Sequence, residues 1–392
     1  MYNSMPGSGE NFTQVYGIYP RNARRSILIL PCSMFMIMKA DEDVTQEIVT
    51  YGKGISTVDQ NPRFGTSAEK QFNIVTKDSK RNFVNAASAL EFVAREYAPG
   101  KNLALDYLDF HPTSIAKLNS ANYQTRRANE LFRFLRMVKS PDEVSRLSKA
   151  AEINESGVER IFDVVRKRRM SNKRLNEKVL EHVYLKKVAE LGGASRSGYV
   201  MCPIGSRGGA MSSPSSSSRV TTQNMTSMLW VDTSCTYQGY NADTGESGSI
   251  GRPGEKQRRY YEAVLDAVET CERVLAHGMK PSELNSEAAK VFERHGVPRP
   301  PTGMGHGIGL EIYDYPRISA AKGDALNNQS AIKDDFIQSS IDIPLEEGMV
   351  LAIEAPHLIW GWGGVHAEVT VLLGKSGTRR LVKGQQRYLR KV

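Results

Sequence analysis

Five ionisable side chains in the C-terminal half of the chain lie in or near predicted strands. Four of them lie within or directly after the strand-like runs at 228–233, 303–312, 349–353 and 365–373, and the fifth follows a Gly-Tyr turn at 239–240. Four are carboxylates and one is an imidazole: Asp232, Asp243, His306, Glu354 and Glu368. A charge on a buried strand is costly unless it is paired or bound to a metal ion. Four converging carboxylates would also repel one another, and divalent cations remove that repulsion. A fold that buries these residues together therefore has to neutralise them.

The residue types alone leave two interpretations open. An aspartate at a strand end is commonly a turn or capping residue, and a histidine between glycines, such as His306, is commonly a loop residue. Oxygen ligands with one imidazole also suit a two-metal site for manganese, cobalt, iron or zinc. Spacing by itself does not decide between these interpretations.

Length and pattern predict two domains. The chain has 392 residues, of which 40% are hydrophobic and 24% charged, as in ordinary folded proteins. Residues 1–138 alternate strand-like runs with helical stretches, including predicted helices at 83–97 and 123–136, which indicates a small α/β unit. Residues 140–143 read Ser-Pro-Asp-Glu, a capping box that begins a new helix. We therefore place the boundary between residues 138 and 139, with a second domain at 139–392.

Several partner classes are disfavoured by composition. The four cysteines form no C-x-x-C pair, so they are interpreted as free thiols in a reducing cytoplasm. The longest apolar run, residues 26–38, is too short to cross a bilayer, so no membrane partner is predicted. The net charge of +9 suits anionic partners. Its densest basic run, residues 166–169, follows a helical pattern, and we interpret it as a solvated helix end rather than a nucleic-acid site.

The segment from Gly305 to Arg317, GHGIGLEIYDYPR, resembles the histidine motif of the prolidase and Xaa-Pro aminopeptidase branch of the M24 metallopeptidases. Segments 231–243, 345–354 and 363–368 resemble the motifs that carry the other four ligands, and all five occur in the family's order. The match covers roughly residues 135–375. Residues 11–17, NFTQVYG, resemble more weakly the creatinase/prolidase N-terminal domain, which is shortened here at its start.

The resemblance implies an α+β protein in which a pita-bread domain follows a smaller α/β domain of the creatinase/prolidase type. It also implies two divalent ions (Mn, Co, Fe or Zn) held by the five ligands, which share a hydroxide that attacks the scissile amide. In that family the glutamate that matches Glu354 binds metal and handles the proton. A homodimer and a short peptide or small-molecule substrate are expected on the same basis.

The sequence departs from the family around these ligands. Ser215 and Tyr313 stand where active members have histidines, and Asp314 replaces a glutamate. Residues 245–247 read Gly-Glu-Ser in place of Thr-Arg-Thr, and His366 replaces an arginine. The two missing histidines stabilise charge that develops on the scissile amide, and loss of such a donor typically costs about 10²–10³-fold in rate.

The remaining site predictions follow from those departures. Tyr313 and His366 carry polar groups that can substitute for the missing donors, so we predict them as catalytic residues with Glu354. The predicted substrate-binding residues are Ser215, Tyr313 and Arg317. Residues 318–341 form an insertion, interpreted either as a surface loop or as a lid that narrows the substrate site.

Three functions remain open on the sequence. The first is a metal-dependent hydrolase of the Xaa-Pro dipeptidase or aminopeptidase type, which the complete ligand set favours. The second is a non-peptidase M24 member acting on a small amide, a guanidino compound or a sulfonium compound, which the altered surroundings favour. The third is a non-catalytic pita-bread binding protein, which only the net charge supports. A metal-free creatinase type is disfavoured because all five ligands are retained.

Overall fold

The computed structural model describes most of the chain, and its residues separate into two compact units, one up to Glu130 and one from Leu131 onward. Ser215, most of the 318–341 insertion and the start of the 11–17 motif lie outside the described residues, so the lid and loop interpretations stay predictions. The domain boundary between residues 138 and 139 also stays a prediction. The described ranges are 14–21, 25–35, 47–53, 63, 66–77, 80–106, 110–170, 175–195, 200–210, 227–319, 342–382 and 389–392.

The N-terminal unit is built from alternating strands and helices. In chain order these are β1 (Tyr16–Ile18), β2 (Ile27–Pro31), β3 (Glu47–Tyr51), α1 (Ser67–Lys77), β4 (Asn82–Phe83), α2 (Ala86–Tyr97), β5 (Asn102–Leu105), α3 (Pro112–Ser120) and β6 (Gln124–Arg127), and α4 (Asn129–Leu135) begins at its end. The sheet order is β1-β2-β3-β4, with β2, β3 and β4 parallel, and β5 pairs with β6 in parallel.

The core of this unit lies between β2, β3 and one face of α2. Ile29 and Val49 pack against Ala89, Leu90 and Val93, which recur at helical spacing along α2. Asn85 caps that helix by accepting a hydrogen bond from the backbone N–H of Ser88. The small α/β unit expected from the sequence is therefore observed.

The C-terminal unit carries the longer elements. They are α5 (Pro141–Met170), α6 (Glu177–Glu190), β7 (Val200–Met201), β8 (Ser227–Tyr237), β9 (Tyr240–Ile250), α7 (Glu255–Val274), α8 (Pro281–Arg294), β10 (Gly305–Gly307), β11 (Asp314–Arg317), β12 (Val350–Glu354), β13 (His357–Ile359), β14 (Gly363–Val365), β15 (Glu368–Gly374), β16 (Gly377–Arg380) and β17 (Arg390–Lys391). None of the helices that the structure describes is both long and apolar enough to be a candidate membrane span.

Among the described residues of this unit, two sheets are covered by the helices α5, α6, α7 and α8. One sheet has the order β11-β10-β12-β15-β16 and the other β17-β9-β8-β7, while β13 and β14 form a separate hairpin. Helices α7 and α8 pack on the first sheet through a cluster that includes Val264, Val291 and Leu351. Helices α5 and α6 pack on the second sheet through a cluster that includes Val158 and Leu229.

Local sequence signals explain where key elements begin and turn. The Ser140 hydroxyl accepts a hydrogen bond from the backbone N–H of Glu143, whose carboxylate accepts one from the backbone N–H of Ser140. This is the predicted capping box at the start of α5. The β8–β9 turn has positive φ at Gln238 and Gly239 (46° and 87°), as the tight turns of type I′ hairpins require. All four cysteines are free and buried, as predicted.

Candidate metal centre

The β8–β9 hairpin places two of the five predicted ligands side by side. Asp232 lies opposite Gly245, and Asp243 lies opposite Ser234. Because side chains alternate between the faces of a strand, the two aspartates are diagonal neighbours on one face. Both are almost completely buried.

The other sheet supplies the remaining three ligands. His306 on β10 lies opposite Ala352, two residues before Glu354, so the imidazole and this carboxylate share a face of the sheet. Glu354 on β12 lies directly opposite Glu368 on β15. Like charges placed directly opposite destabilise a sheet, so this register requires a compensating cation or proton.

The structure brings all five side chains together. The His306 Nε2 atom lies 3.5 Å from Glu354 Oε1 and 3.7 Å from Asp243 Oδ2. Asp232, Asp243 and Glu368 each offer a carboxylate oxygen within 4.8 Å of those of the other two. This convergence is the arrangement that the resemblance implies, although metal binding by these residues stays a prediction.

The donor set fits a divalent metal. Among the described residues, Asp243 Oδ1, both carboxylate oxygens of Glu368 and His306 Nε2 are buried without a hydrogen-bond partner, which is costly for an apo site. The His306 Nδ1 atom lies 2.9 Å from the carbonyl oxygen of Gly307. In the neutral imidazole this contact assigns the proton to Nδ1 and turns the Nε2 lone pair toward the carboxylates. Metal-binding histidines have this arrangement.

The pKa values of these carboxyl groups indicate the same need for positive charge. Burial raises the pKa of Asp232 to about 6. Burial and the neighbouring carboxylates raise the pKa of Asp243 and that of Glu368 well above their usual range. Burial alone would raise the pKa of Glu354, but its contacts with the imidazoles of His306 and His366 outweigh burial and hold that pKa below its usual range.

These pKa shifts predict how the stability of the metal-free protein depends on pH. Carboxyl groups with a raised folded-state pKa bind more protons in the folded state than in the unfolded state, so the free energy of unfolding falls as pH rises. For Asp232 this decline begins near pH 4 and extends through about pH 6, and Asp243 and Glu368 continue it to higher pH. For each group, every unit of pKa shift lowers the free energy of unfolding of the metal-free protein by about 1.4 kcal/mol once the group is ionised.

We expect the metal-free protein to unfold at lower urea concentration at pH 8 than at pH 5.5. The manganese-loaded protein is the control because titrating groups far from the centre affect both forms equally. The difference in unfolding free energy between loaded and metal-free protein should therefore grow with pH. A difference that stays constant across this range would contradict the buried carboxylate cluster.

Two of the three predicted substrate-binding residues lie beside the imidazole of His306. The Tyr313 ring meets the His306 ring edge-on, with 4.6 Å between centroids, and Tyr313 is 39% exposed. The Arg317 guanidinium lies 4.7 Å from the centroid of the Tyr313 ring. The exposed Tyr313 and the half-buried Arg317 therefore lie next to the predicted metal centre. Ser215, the third, lies outside the described residues.

Two other departures from the family pattern make ion pairs away from the metal centre. The buried Asp314 carboxylate contacts Arg136 at 3.0 Å and Lys139 at 3.5 Å. Glu246 lies on the opposite face of β9 from Asp243 and contacts Arg390 at 2.6 Å. Neither group of ion pairs is visible in the sequence, because the partners are distant from one another in the chain.

Four carboxylates and one imidazole converge from two sheets, and the sequence profile of Metallopeptidase family M24 matches residues 145–375. The chain belongs to this family. A protein named Xaa-Pro dipeptidase from Pyrococcus furiosus is 29% identical over 271 residues, which cover 67% of this chain and 68% of that protein. Another Xaa-Pro dipeptidase, from Lactobacillus delbrueckii subsp. lactis, is 30% identical over 155 residues, 38% of this chain and 36% of that protein.

Solved structures share the fold. The prolidase from Pyrococcus furiosus superposes with a TM-score of 0.66 at 21% identity and covers 92% of this chain and 88% of its own. The X-Pro aminopeptidase from Thermotoga maritima superposes with a TM-score of 0.69 at 19% identity and covers 94% and 88%. These matches confirm the predicted family and the hydrolase class. They also confirm a pita-bread domain that follows a smaller α/β domain in the chain.

Proposed function

We propose that the protein is a dinuclear-metal-dependent hydrolase of the Xaa-Pro dipeptidase or aminopeptidase type. The observation that carries this proposal is the convergence of the five predicted ligand side chains. Three of them, Asp243, His306 and Glu368, carry buried atoms that have no hydrogen-bond partner among the described residues. The names of the similar proteins support peptides with proline at the second position as the substrate class. Manganese, cobalt, iron and zinc all suit this mixture of oxygen and imidazole ligands.

Bound divalent ions would lower the pKa of a water molecule and polarise the scissile carbonyl. Glu354 is suited to accept the proton because the nearby imidazoles keep its carboxylate ionised. Its side chain is 15% exposed, whereas those of Asp243 and His306 are 5% and 2% exposed. Glu354 therefore lies where the ligand cluster meets the solvent-accessible side.

Tyr313 and Arg317 are suited to bind the substrate. The phenol of Tyr313 can donate a hydrogen bond to the carbonyl oxygen that becomes negative as the amide is attacked. The guanidinium of Arg317 is suited to pair with a carboxylate at the end of a short peptide. His366 contacts Glu354 at 3.1 Å and is the third predicted catalytic residue. The substrate role of Ser215 and the homodimer stay predictions.

We expect manganese- or cobalt-loaded protein to hydrolyse members of a panel of Xaa-Pro dipeptides and tripeptides. In the same assay Tyr313→Phe should lower kcat/KM by about 10²–10³-fold, since it removes a single donor to the developing oxyanion. The exposed Tyr19→Phe is the matched control and should leave the rate unchanged because Tyr19 is not among the predicted ligand, catalytic or substrate-binding residues. Metal-loaded protein that cleaves no peptide in the panel would contradict the peptidase function.

The second candidate is an M24 hydrolase or lyase for a small non-peptide amide, guanidino compound or sulfonium compound. It is favoured by one observation, that Tyr313 occupies the edge of the His306 ring where active peptidases of this family have a histidine. Screening such compounds with the same metal-loaded protein distinguishes the two functions, because only one substrate class should show turnover that chelators abolish.

A further inference from the structure

His366 lies within reach of the proposed metal centre, although it is not one of the five expected ligands. Its Nε2 atom is 3.1 Å from Glu354 Oε2, and its side chain is completely buried. An imidazole nitrogen of His366 and one carboxylate oxygen each from Asp232 and Glu354 lie within 4.8 Å of one another. The ligand atoms around one metal ion, with bonds of about 2.0–2.2 Å, lie only slightly closer to one another than this limit.

The fold makes space for the His366 ring at this place. Gly245 lies directly opposite Asp232 on the β8–β9 hairpin. A Cβ atom at position 245 would be no more than 2.5 Å from three atoms of the His366 ring. The ring can therefore lie beside the ligand cluster only because residue 245 has no side chain.

The backbone of His366 is fixed as well. Its N–H donates a hydrogen bond of 2.7 Å to Ser247 Oγ, and the Ser247 hydroxyl donates one of 2.8 Å to the His366 carbonyl oxygen. The Trp230 ring contacts the imidazole edge-on, with 6.1 Å between centroids. These contacts hold the ring in position without a metal ion, and such preorganisation is what a metal ligand requires.

We propose that His366 is a sixth protein ligand, which binds one metal ion together with Asp232 and Glu354. His306 contacts Asp243 and Glu354 instead, so the centre would contain two imidazoles. This inference rests on the proposed metal centre and assigns a further residue to it. The alternative is a histidine that only donates a hydrogen bond to Glu354 and positions that carboxylate.

An added imidazole changes which metal the site prefers. Carboxylate and water ligands suit manganese, whereas imidazole suits zinc, cobalt and nickel, and affinity rises along the first-row series from manganese toward copper. The site should therefore bind cobalt and zinc more tightly than manganese. Loss of His366 should reduce that preference.

Proton NMR of the cobalt-loaded full chain tests the assignment because each imidazole bound to paramagnetic cobalt gives its own strongly shifted, exchangeable N–H signal. We expect two such signals from the protein with two bound cobalt ions and one from the His366→Gln variant. Glutamine keeps an N–H donor for Glu354, so a purely positioning role would leave the spectrum and the metal affinity unchanged. Loss of an outer-shell hydrogen bond typically costs about 10–100-fold in metal affinity, so calorimetric titration should show a loss above that range in cobalt affinity for one ion, and a smaller loss for manganese.

Other outcomes separate the failure of this inference from the failure of the proposed function. Two bound cobalt ions with a single imidazole signal in the unsubstituted protein would overturn the ligand role and leave His366 as a positioning residue. Protein that binds no cobalt would overturn the metal centre itself, and the inference with it. The Gly245→Ala variant supplies a second test, since it should displace the ring and reproduce the spectrum of His366→Gln. Circular dichroism of the metal-free variants establishes that each is folded.

Discussion

Replacing Glu354 with glutamine is expected to lower kcat/KM for a cleaved Xaa-Pro peptide by at least about 10³-fold. A positioned side chain that transfers a proton contributes about 10²–10⁴-fold, and this carboxylate also contacts both imidazoles of the centre. Glutamine has nearly the same shape, so the strand register and the core should be retained. The measurement is steady-state hydrolysis with metal bound at a verified stoichiometry.

Glu347→Gln is the matched control for that variant. Glu347 is an exposed glutamate seven residues earlier in the chain, and the same chemical change there should leave the rate within about twofold because it lies outside the ligand cluster. Equal rates for the two variants would contradict the assignment of Glu354 as the proton acceptor. A Glu354→Gln protein that binds fewer than two ions would show that this residue is needed mainly as a ligand.

The elements that carry the ligands could be predicted from local pattern. The strand expected at 228–233 is part of β8, and the one expected at 349–353 corresponds to β12 within one residue at either end. Both are apolar runs that end near a carboxylate. The apolar residues of such a run are by themselves enough to predict a buried strand. Local pattern therefore predicts which strands carry these carboxylates, whereas their prediction as ligands rests on the family resemblance.

The secondary structure of other segments depends on pairing with strands that are distant in the chain, and local sequence pattern does not show that pairing. Residues 123–136 were predicted as one helix, but 124–127 form β6, because parallel pairing with β5 outweighs the helical pattern there. The strand-like stretch that includes Gly305 was expected to be longer, yet β10 has only three residues. Register across a sheet is set by distant residues, so the pairing of Glu354 with Glu368 was also hidden in the sequence.

Two departures from the family pattern prove to be neighbours. Glycine stands at position 245 and histidine at position 366, and the structure places that ring against the glycine. The change to glycine removes the side chain that would collide with the imidazole. In the sequence these are two separate differences from the family motif, whereas in the structure the two residues are in contact beside the ligand cluster. Coupled changes of this kind favour altered chemistry over simple loss of the site.

The Gly305→Ala variant is expected to lose about 2–6 kcal/mol of unfolding free energy, because overpacking and a strained backbone each cost about 1–3 kcal/mol. A Cβ atom at this position would overlap the carbonyl oxygen of Ala352 and lie 2.9 Å from its carbonyl carbon. The backbone has φ of +128°, which residues with a side chain rarely adopt. Neither problem can be relieved by a rotamer change, because the colliding atoms belong to the backbone.

That loss is a large part of the free energy of unfolding of a typical domain, which is about 5–15 kcal/mol. It should appear as a lower urea midpoint with an unchanged slope, and metal affinity should fall with it, because His306 is the next residue on β10. Gly100→Ala is the control, since a Cβ there meets no atom within 4 Å and its φ is ordinary. If Gly305→Ala unfolded at the same urea concentration as Gly100→Ala, the close pairing of β10 with β12 would be wrong. The geometry proposed for His306 depends on that pairing and would fail with it.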